Sequence, residues 1–211
     1  MIRPSRTWRQ SGQVTDHPQH LRALAVDSDN RWLWRMSRRQ LDAEAVRDTL
    51  LAVAGRLDLQ MGGPSFKDFV IERPEHSPHY QYHLHDPDDP RSHRRSIYRF
   101  LVRSQTQPFM TTLNCADPSM LVDRRDETVS PLQALTLLNS GLALTMARHL
   151  AERLRTECDG LHNQIARGVR LTLGRPATDD ELSTLLPYAE RHGLEQTCRV
   201  LLNLNEFLFV D

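Results

Sequence analysis

The sequence has few cysteines and no long apolar run, and both absences narrow its class. Cys115, Cys158 and Cys198 lie far apart and form neither the CxxC pair of a zinc site nor the CxxCH motif that binds haem. No stretch reaches the roughly 18 apolar residues of a membrane-spanning helix. The arginines that follow Met1 are not succeeded by an apolar segment, so this start does not resemble a signal peptide. We therefore expect isolated core thiols, no haem motif and no membrane span.

The chain also lacks net charge. Its 27 basic and 27 acidic residues cancel, so no long-range field favours nucleic acid, and nucleic-acid binding is not expected. Lys67 is the only lysine. The other basic residues are arginines, whose planar guanidinium groups suit fixed carboxylate pairs, although a GC-rich coding bias would give the same excess.

A long amphipathic segment at residues 36–63 organises the first half of the chain. Ser37 and Gln40 have the spacing of a helix capping box. Apolar residues then recur every three or four positions, and two glycines and a proline follow, as is typical of a helix end. The segment predicts one long helix with a buried stripe that consists of Val46, Leu50, Val53, Leu57 and Met61.

The second half of the chain predicts several shorter helices. Ser130 with Pro131 is typical of a helix start, and a break is expected near residues 139–141. Thr178 and Glu181 form another capping box. The apolar stripe of the helices after Ser130 would contain Leu132, Leu135, Leu138, Leu142, Met146 and Leu150.

Residues 94–114 differ from these helices, because their apolar and polar residues alternate. That pattern predicts a short strand or hairpin. The expected fold is therefore mainly α, a multi-helix orthogonal bundle with a small β element in the middle, at about residues 94–114. Residues 1–35 predict the tail of a preceding unit and a connector. Residues 36–211 predict one helical domain with an irregular loop, rich in histidine and proline, at 64–93.

The loop at 64–93 carries the strongest chemical signal. Imidazole and carboxylate groups together suit zinc or a redox-active metal, and an extended YHLH segment would place two histidines on one face. The spacing spells neither an HxxxH pair nor a facial triad, so a plain polar loop is the alternative. The candidate metal ligands are His76, His79, His83, His85 and Asp86.

Two groups of charges are candidates for an anion site or an ion-pair cluster. Glu44, Arg47 and Asp48 fall within one predicted helical turn, and Arg124 and Arg125 are adjacent. Carboxylates beside an arginine could perform acid–base chemistry, but no nucleophile or third orienting group accompanies them. Surface ion pairs are the simpler interpretation, and the catalytic residues stay unassigned.

Several phrases occur in a characteristic order along the chain: TWRQS, NRWLWRMSRRQLDAEAVRDTLLAVAGRLD, PEHSPHYQYHLHDPDDPRSHRRSIYRFLVRS, PFMTTLNCADPS, PLQALTLLNS and LLNLNEFLFVD. This order resembles the domain-of-unknown-function 1553 family, a planctomycete-type domain that follows a second uncharacterised domain and is often associated with a c-type cytochrome module. The family brings no agreed activity or catalytic residues.

The resemblance implies that the chain is the C-terminal part of a larger exported protein, which would be periplasmic or secreted. Its partners would be the preceding uncharacterised domain and, in related architectures, the cytochrome module. No cofactor is expected in this chain beyond a metal in the loop at 64–93. We therefore expect a structural or interaction module, and the alternative is a metal-assisted hydrolase that uses the histidines and aspartates of that loop.

Overall fold

In the computed structural model, residues 16–72 and 78–210 are described, and they belong to two compact units. The smaller unit joins the residues up to Leu41 to the segment that begins at Leu208, and the larger unit is Asp42–Phe207. The predicted division after residue 35 stays a prediction. No helix in the described ranges is both long and apolar enough to cross a membrane.

The described part of the smaller unit contains one helix and a two-stranded antiparallel sheet. Helix α1 (Pro18–Val26) begins after His17, whose Nδ1 accepts a hydrogen bond from the Gln19 amide. Strand β1 (Arg39–Gln40) pairs with the final strand β4 (Phe209–Val210), in a register that places Gln40 opposite Phe209. The sheet therefore joins segments from opposite ends of the sequence.

In its described residues, the larger unit combines helices and irregular segments with one short hairpin, strands β2 (Val70–Glu72) and β3 (His79–Gln81). Helix α5 is its centre, because α2, α4, α6 and α8 all pack against it. The helices of its described residues are α2 (Ala43–Val53), α3 (Pro108–Thr112), α4 (Pro131–Asn139), α5 (Gly141–Glu157), α6 (Leu161–Leu173), α7 (Asp179–His192) and α8 (Leu194–Leu201). The expected mainly α fold with a small strand element is confirmed.

The core of the larger unit lies where α5, α6 and α8 meet. Leu154, Ile165 and Leu201 are buried there. Gly168 of α6 permits this close packing, since a Cβ atom at this position would lie 3.1 Å from Cδ1 of Leu154 and from Cδ1 of Leu201.

The predicted long helix at residues 36–63 is wrong at both ends. Residues 39–40 form β1, and α2 begins after Asp42, so Ser37 precedes a strand rather than a helix. Helix α2 ends at Val53, where the Arg153 guanidinium donates hydrogen bonds to the last carbonyl groups, those of Ala52 and Val53. Within the stripe, Val46, Leu50 and Val53 are buried as predicted, Leu57 is half-buried and Met61 is exposed.

The predicted strand element is also in a different place. Residues 94–114 contain a 3-10 turn at Ser96–Tyr98 and the helix α3, and the hairpin is β2–β3 instead. Among the described residues, the strand-type pairings of this segment are isolated bridges, such as that between Phe66 and Arg99. Helix α3 forms because Gln107 caps it, its side-chain oxygen accepting the Met110 amide at 2.7 Å.

The capping signals of the second half are confirmed. Ser130 and Thr178 each form a complete capping box, and the break after α4 falls at Ser140. The apolar stripe is confirmed in α5, where Met146 and Leu150 are buried. In α4 the stripe is wrong: Leu132 and Leu135 are exposed, and Gln133 and Leu137 face the interior, because the capping box draws the Gln133 side chain inwards.

Candidate functional site

A pocket of about 680 Å³ opens in the larger unit between the 82–87 segment, α3 and the junction of α4 with α5. We call it the Asp68 pocket, after the most buried charged group that lines it. Its apolar wall consists of Pro87, Pro108, Phe109, Leu135 and Leu142, and its polar lining includes Asp68, Tyr82, His83, His85 and Asn139.

Asp68 is a nearly inaccessible carboxyl group, only 6% exposed. Burial raises its pKa, and the neighbouring guanidinium groups of Arg99 and Arg47 oppose that effect. The closest approach to Arg99 is a long one, 3.8 Å from Oδ2 to Nη1. Among the described residues, no donor forms a hydrogen bond with Oδ1 of Asp68, and no acceptor forms one with Nε of Arg99.

Two other ionisable groups of the pocket have shifted pKa values. Burial lowers the pKa of His85, although Asp68 opposes this effect, so the imidazole is neutral at pH 7. Burial and then the Asp68 charge raise the pKa of Tyr82, whose hydroxyl donates a hydrogen bond to the Gln105 carbonyl at 3.1 Å. The polar side of the pocket thus combines one buried carboxyl group with neutral donors and acceptors.

Arg47 and Asp48 of α2 form hydrogen bonds that fix the backbone of residues 92–96. The Arg47 guanidinium is buried in α2 and donates hydrogen bonds to the backbone carbonyls of Ser92 and Arg94. Asp48 accepts the amide and the hydroxyl of Ser96, at 2.8 and 2.7 Å. These two predicted site residues therefore fix the 92–96 segment, which explains why that segment does not form a strand.

Glu44 belongs to a separate cluster with Arg125. The Arg125 guanidinium binds both Glu44 carboxylate oxygens, at 2.5 and 3.0 Å, and also lies 3.3 Å from Asp42. Burial is the largest single influence on Glu44 and raises its pKa, but the hydrogen bond and charge of Arg125, together with hydrogen bonds from the backbone and Cys115, outweigh it, and the pKa is lowered. Cys115 lies 3.6 Å from Glu44, and burial together with that carboxylate raises the thiol pKa, which disfavours a nucleophilic thiolate.

The remaining predicted residue of this cluster, Arg124, does not join it. Arg124 is exposed, and among the described residues it makes no ion pair. The structure therefore divides the five predicted residues into the Arg47–Asp48 pair, the Glu44–Arg125 pair and one solvated arginine. A single anion site formed by all five is not present in the described part of the chain.

The predicted metal ligands are dispersed. His79 is exposed on β3, whereas His83 and His85 line the Asp68 pocket, and Asp86 is exposed beside it. His83 and His85 do not share a strand face, because Tyr82–Leu84 is a 3-10 turn. Across residues 16–72 and 78–210, no three potential ligands converge on one point. His76 lies outside the described residues, so the metal site stays a prediction.

Two functional candidates were not predicted from the sequence. The first is Asp68, whose only sequence signal is its position between Phe66 and Phe69. The second is His149, a buried imidazole whose Nε2 lies 2.5 Å from Asp88 and whose Nδ1 lies 3.0 Å from Glu152. The hydrogen bond to His149 is the main cause of the lowered pKa of Asp88. This contact joins the 64–93 loop to α5.

The smaller unit presents a second candidate, the loop at residues 27–35, which we call the Trp32 loop. Asp27 is buried at its start, and its carboxylate accepts the backbone amides of Arg31 at 2.9 Å and Trp32 at 2.8 Å. Asn30 closes the loop, because its side chain donates to the Arg35 carbonyl and accepts the Arg35 amide. The loop backbone is therefore fixed by side-chain hydrogen bonds.

The same loop holds apolar side chains in solvent. Trp32 is 74% exposed and Leu33 is 61% exposed. Asn30 and Leu33 have φ values of 56° and 54°, in the left-handed region. For a leucine this conformation costs about 1–2 kcal/mol, and it is maintained here only by the surrounding hydrogen bonds.

Comparison with known proteins gives one match. The family model described as PSD1, protein of unknown function (DUF1553), matches residues 1–189. No curated protein matches the chain. No solved structure matches it either.

Proposed function

This chain belongs to the DUF1553 family, whose function is unknown, and we propose that it is an interaction module that binds a partner domain through the Trp32 loop. The proposal includes a place for the chain in a larger exported protein. In that protein the partner is the preceding uncharacterised domain, and a c-type cytochrome module is a further partner in related architectures.

One observation carries the proposal: a fixed loop holds a tryptophan and a leucine in solvent. Apolar side chains on a mobile loop would not indicate a binding surface. The backbone of this loop is fixed, because the Asp27 carboxylate and the Asn30 side-chain amide accept hydrogen bonds from backbone amides. Soluble proteins rarely keep such apolar groups together on a surface unless a partner covers them. Tryptophan is also the residue most enriched among those that dominate binding energies.

The surroundings of Trp32 indicate the chemistry of the partner surface. Arg31 is exposed beside it, and the Arg35 guanidinium lies 5.5 Å from the Trp34 ring centre. An apolar centre with an arginine rim is the usual composition of a protein interface. We therefore expect an apolar pocket on the partner, with carboxylates at its edge.

The test is a binding titration between this chain and the preceding domain of a family member that contains both. Trp32→Ala should weaken binding at least about 30-fold, which corresponds to the loss of a dominant contact. The matched control is Leu59→Ala, which removes an equally exposed apolar side chain from the larger unit and should change the affinity less than about twofold. Equal affinities of the wild type and Trp32→Ala would refute the proposal.

A metal-assisted hydrolase is the second candidate function. The observation in its favour is that Asp68, His83 and His85 line one pocket. Elemental analysis of protein prepared without chelators tests it. A stoichiometric metal that is lost in His85→Ala but kept in His79→Ala would support the hydrolase, and the absence of zinc, iron, copper and manganese would remove it.

A further inference from the structure

The Asp68 pocket has a chemically mixed lining. Phe109, Leu135 and Leu142 contribute apolar lining, and Asp68 is one of several polar groups that also line the pocket. At about 680 Å³ the pocket falls within the range of small-molecule sites, which combine an apolar lining with a few polar groups that fix orientation.

Asp68 supplies the orienting group. Its side chain is more than nine-tenths buried, and Oδ1 has no donor among the described residues. An acceptor that is buried without a hydrogen bond is unfavourable by about 1–3 kcal/mol, and more when it is charged. Because Oδ1 is buried, a donor can reach it only when the Asp68 side chain turns towards the pocket. A ligand that brings an O–H or N–H group to the turned carboxylate removes this penalty, whereas a purely apolar ligand leaves it.

The charges around Asp68 restrict the ligand further. Arg99 lies 3.8 Å from Oδ2, and the Arg47 charge also acts on the carboxylate. A cationic ligand at Asp68 would therefore be repelled by two nearby guanidinium groups. An anionic ligand would meet the carboxylate itself.

We propose that the Asp68 pocket binds a small neutral molecule with an aromatic or aliphatic body and a hydroxyl or amide donor that points at Oδ1 of Asp68. The body of the molecule packs on Phe109, Leu135 and Leu142. This site goes beyond the proposed partner binding, because it lies wholly in the larger unit and uses no residue of the Trp32 loop.

The first test compares probes of the same shape. Phenol and toluene differ only in the donor, and both are titrated into the full chain while backbone amide NMR shifts are recorded. Phenol should bind with a dissociation constant of about millimolar order and at least about tenfold more tightly than toluene, with its largest shifts around α3 and the start of α5. Benzylammonium and benzoate should both bind more weakly than phenol.

The second test blocks the pocket without disturbing the core. Leu135→Trp places a larger side chain at an exposed position that lines the pocket, and should abolish phenol binding. Leu132→Trp is the matched control, because Leu132 is exposed on the same helix but does not line the pocket, and it should bind phenol like the wild type.

The third test addresses the donor contact. Asp68→Asn should reduce the preference for phenol over toluene at least about fivefold, since a charged acceptor becomes a neutral one. Asp86→Asn, which alters an exposed carboxylate outside the pocket, should keep the preference. If Asp68→Asn fails to fold, the comparison of Leu135→Trp with Leu132→Trp still tests whether phenol binds in the Asp68 pocket.

Three results would overturn the inference. The first is equal affinity for phenol and toluene, and the second is tighter binding of benzylammonium than of phenol. The third is unchanged phenol binding in Leu135→Trp. None of them bears on the Trp32 loop, so failure here is distinguishable from failure of the proposed interaction function.

Discussion

Leu50 and Leu135 are the same residue type in two helices, and the structure predicts opposite outcomes when each is changed to alanine. Leu50 of α2 is 0% exposed, whereas Leu135 of α4 is 54% exposed. Sequence periodicity places both in apolar stripes and predicts equal losses. Comparing the two substitutions therefore tests whether the loss of stability follows the burial of the leucine or its position in the apolar pattern.

The expected magnitudes follow from burial. Leu50→Ala removes three buried carbons, which are worth about 0.8 kcal/mol each, and leaves a cavity among fixed neighbours, so the loss should be about 3–5 kcal/mol. Leu135→Ala removes the same atoms when they are half hydrated and leaves no closed cavity. Its loss should be about 1 kcal/mol or less.

The assay is urea denaturation followed by circular dichroism, with thermal melts alongside. The larger unit contains no tryptophan, so tryptophan fluorescence does not report on it directly, whereas the helical signal reports mainly on that unit. Leu50→Ala should lower the melting temperature of the helical signal by about 6–20 °C, and Leu135→Ala by less than about 4 °C. Equal shifts, or a larger shift for Leu135→Ala, would refute the burial argument.

Three further outcomes are expected of the larger unit. Gly168→Val should lower the urea midpoint by the equivalent of more than about 2 kcal/mol, because a Cβ atom there would lie 3.1 Å from two buried leucine methyl groups. Its control is Gly141→Val, which should lower the midpoint less, because a Cβ atom there would meet only Cγ of Pro87 at 3.7 Å and the backbone is not in the left-handed region. Thr178→Ala should lower the free energy of unfolding by about 0.5–2 kcal/mol through loss of the cap, with Thr184→Ala, a mid-helix threonine, as its control in the same denaturation series. Arg175 lowers the pKa of Glu181 from 4.5 to about 2, so this pair stabilises the fold fully above about pH 4.5 and loses that effect as the pH falls towards 2. Glu181→Gln should therefore flatten the decline of the urea midpoint across this pH range. An unchanged pH profile would contradict the assignment.

Helices that carry their own signals were predictable from the sequence. Thr178 and Glu181 are three residues apart and cap α7 by themselves, so local spacing determines the start. Helix α2 is different, because distant residues determine its ends. Arg153 binds its last carbonyls, and the residues before it pair with Phe209. Sequence periodicity contains no information about partners that lie a hundred residues away.

Only part of the candidate site was predictable from the sequence. His83 and His85 were predicted as candidate metal ligands, and both line the Asp68 pocket. Asp68 was missed, because the groups that surround it, Arg47, His85 and Arg99, are 17 to 31 residues away in the sequence. Arg47 was interpreted as a surface ion pair, yet the carbonyls of Ser92 and Arg94 surround it. The one sequence signal that could have indicated the burial of Arg47 is its position among the apolar residues of the predicted helix.

The pairing of β1 with β4 has a consequence for how the chain is made. Gln40 leaves the ribosome roughly 170 residues before its partner Phe209, and at a synthesis rate of about 5–20 residues per second it waits on the order of ten to thirty seconds. During that interval the intervening helices can assemble, while the earlier strand keeps an unsatisfied edge. The smaller unit therefore closes only after the larger unit has been synthesised, and removal of the residues of β4 would leave that edge open to other chains.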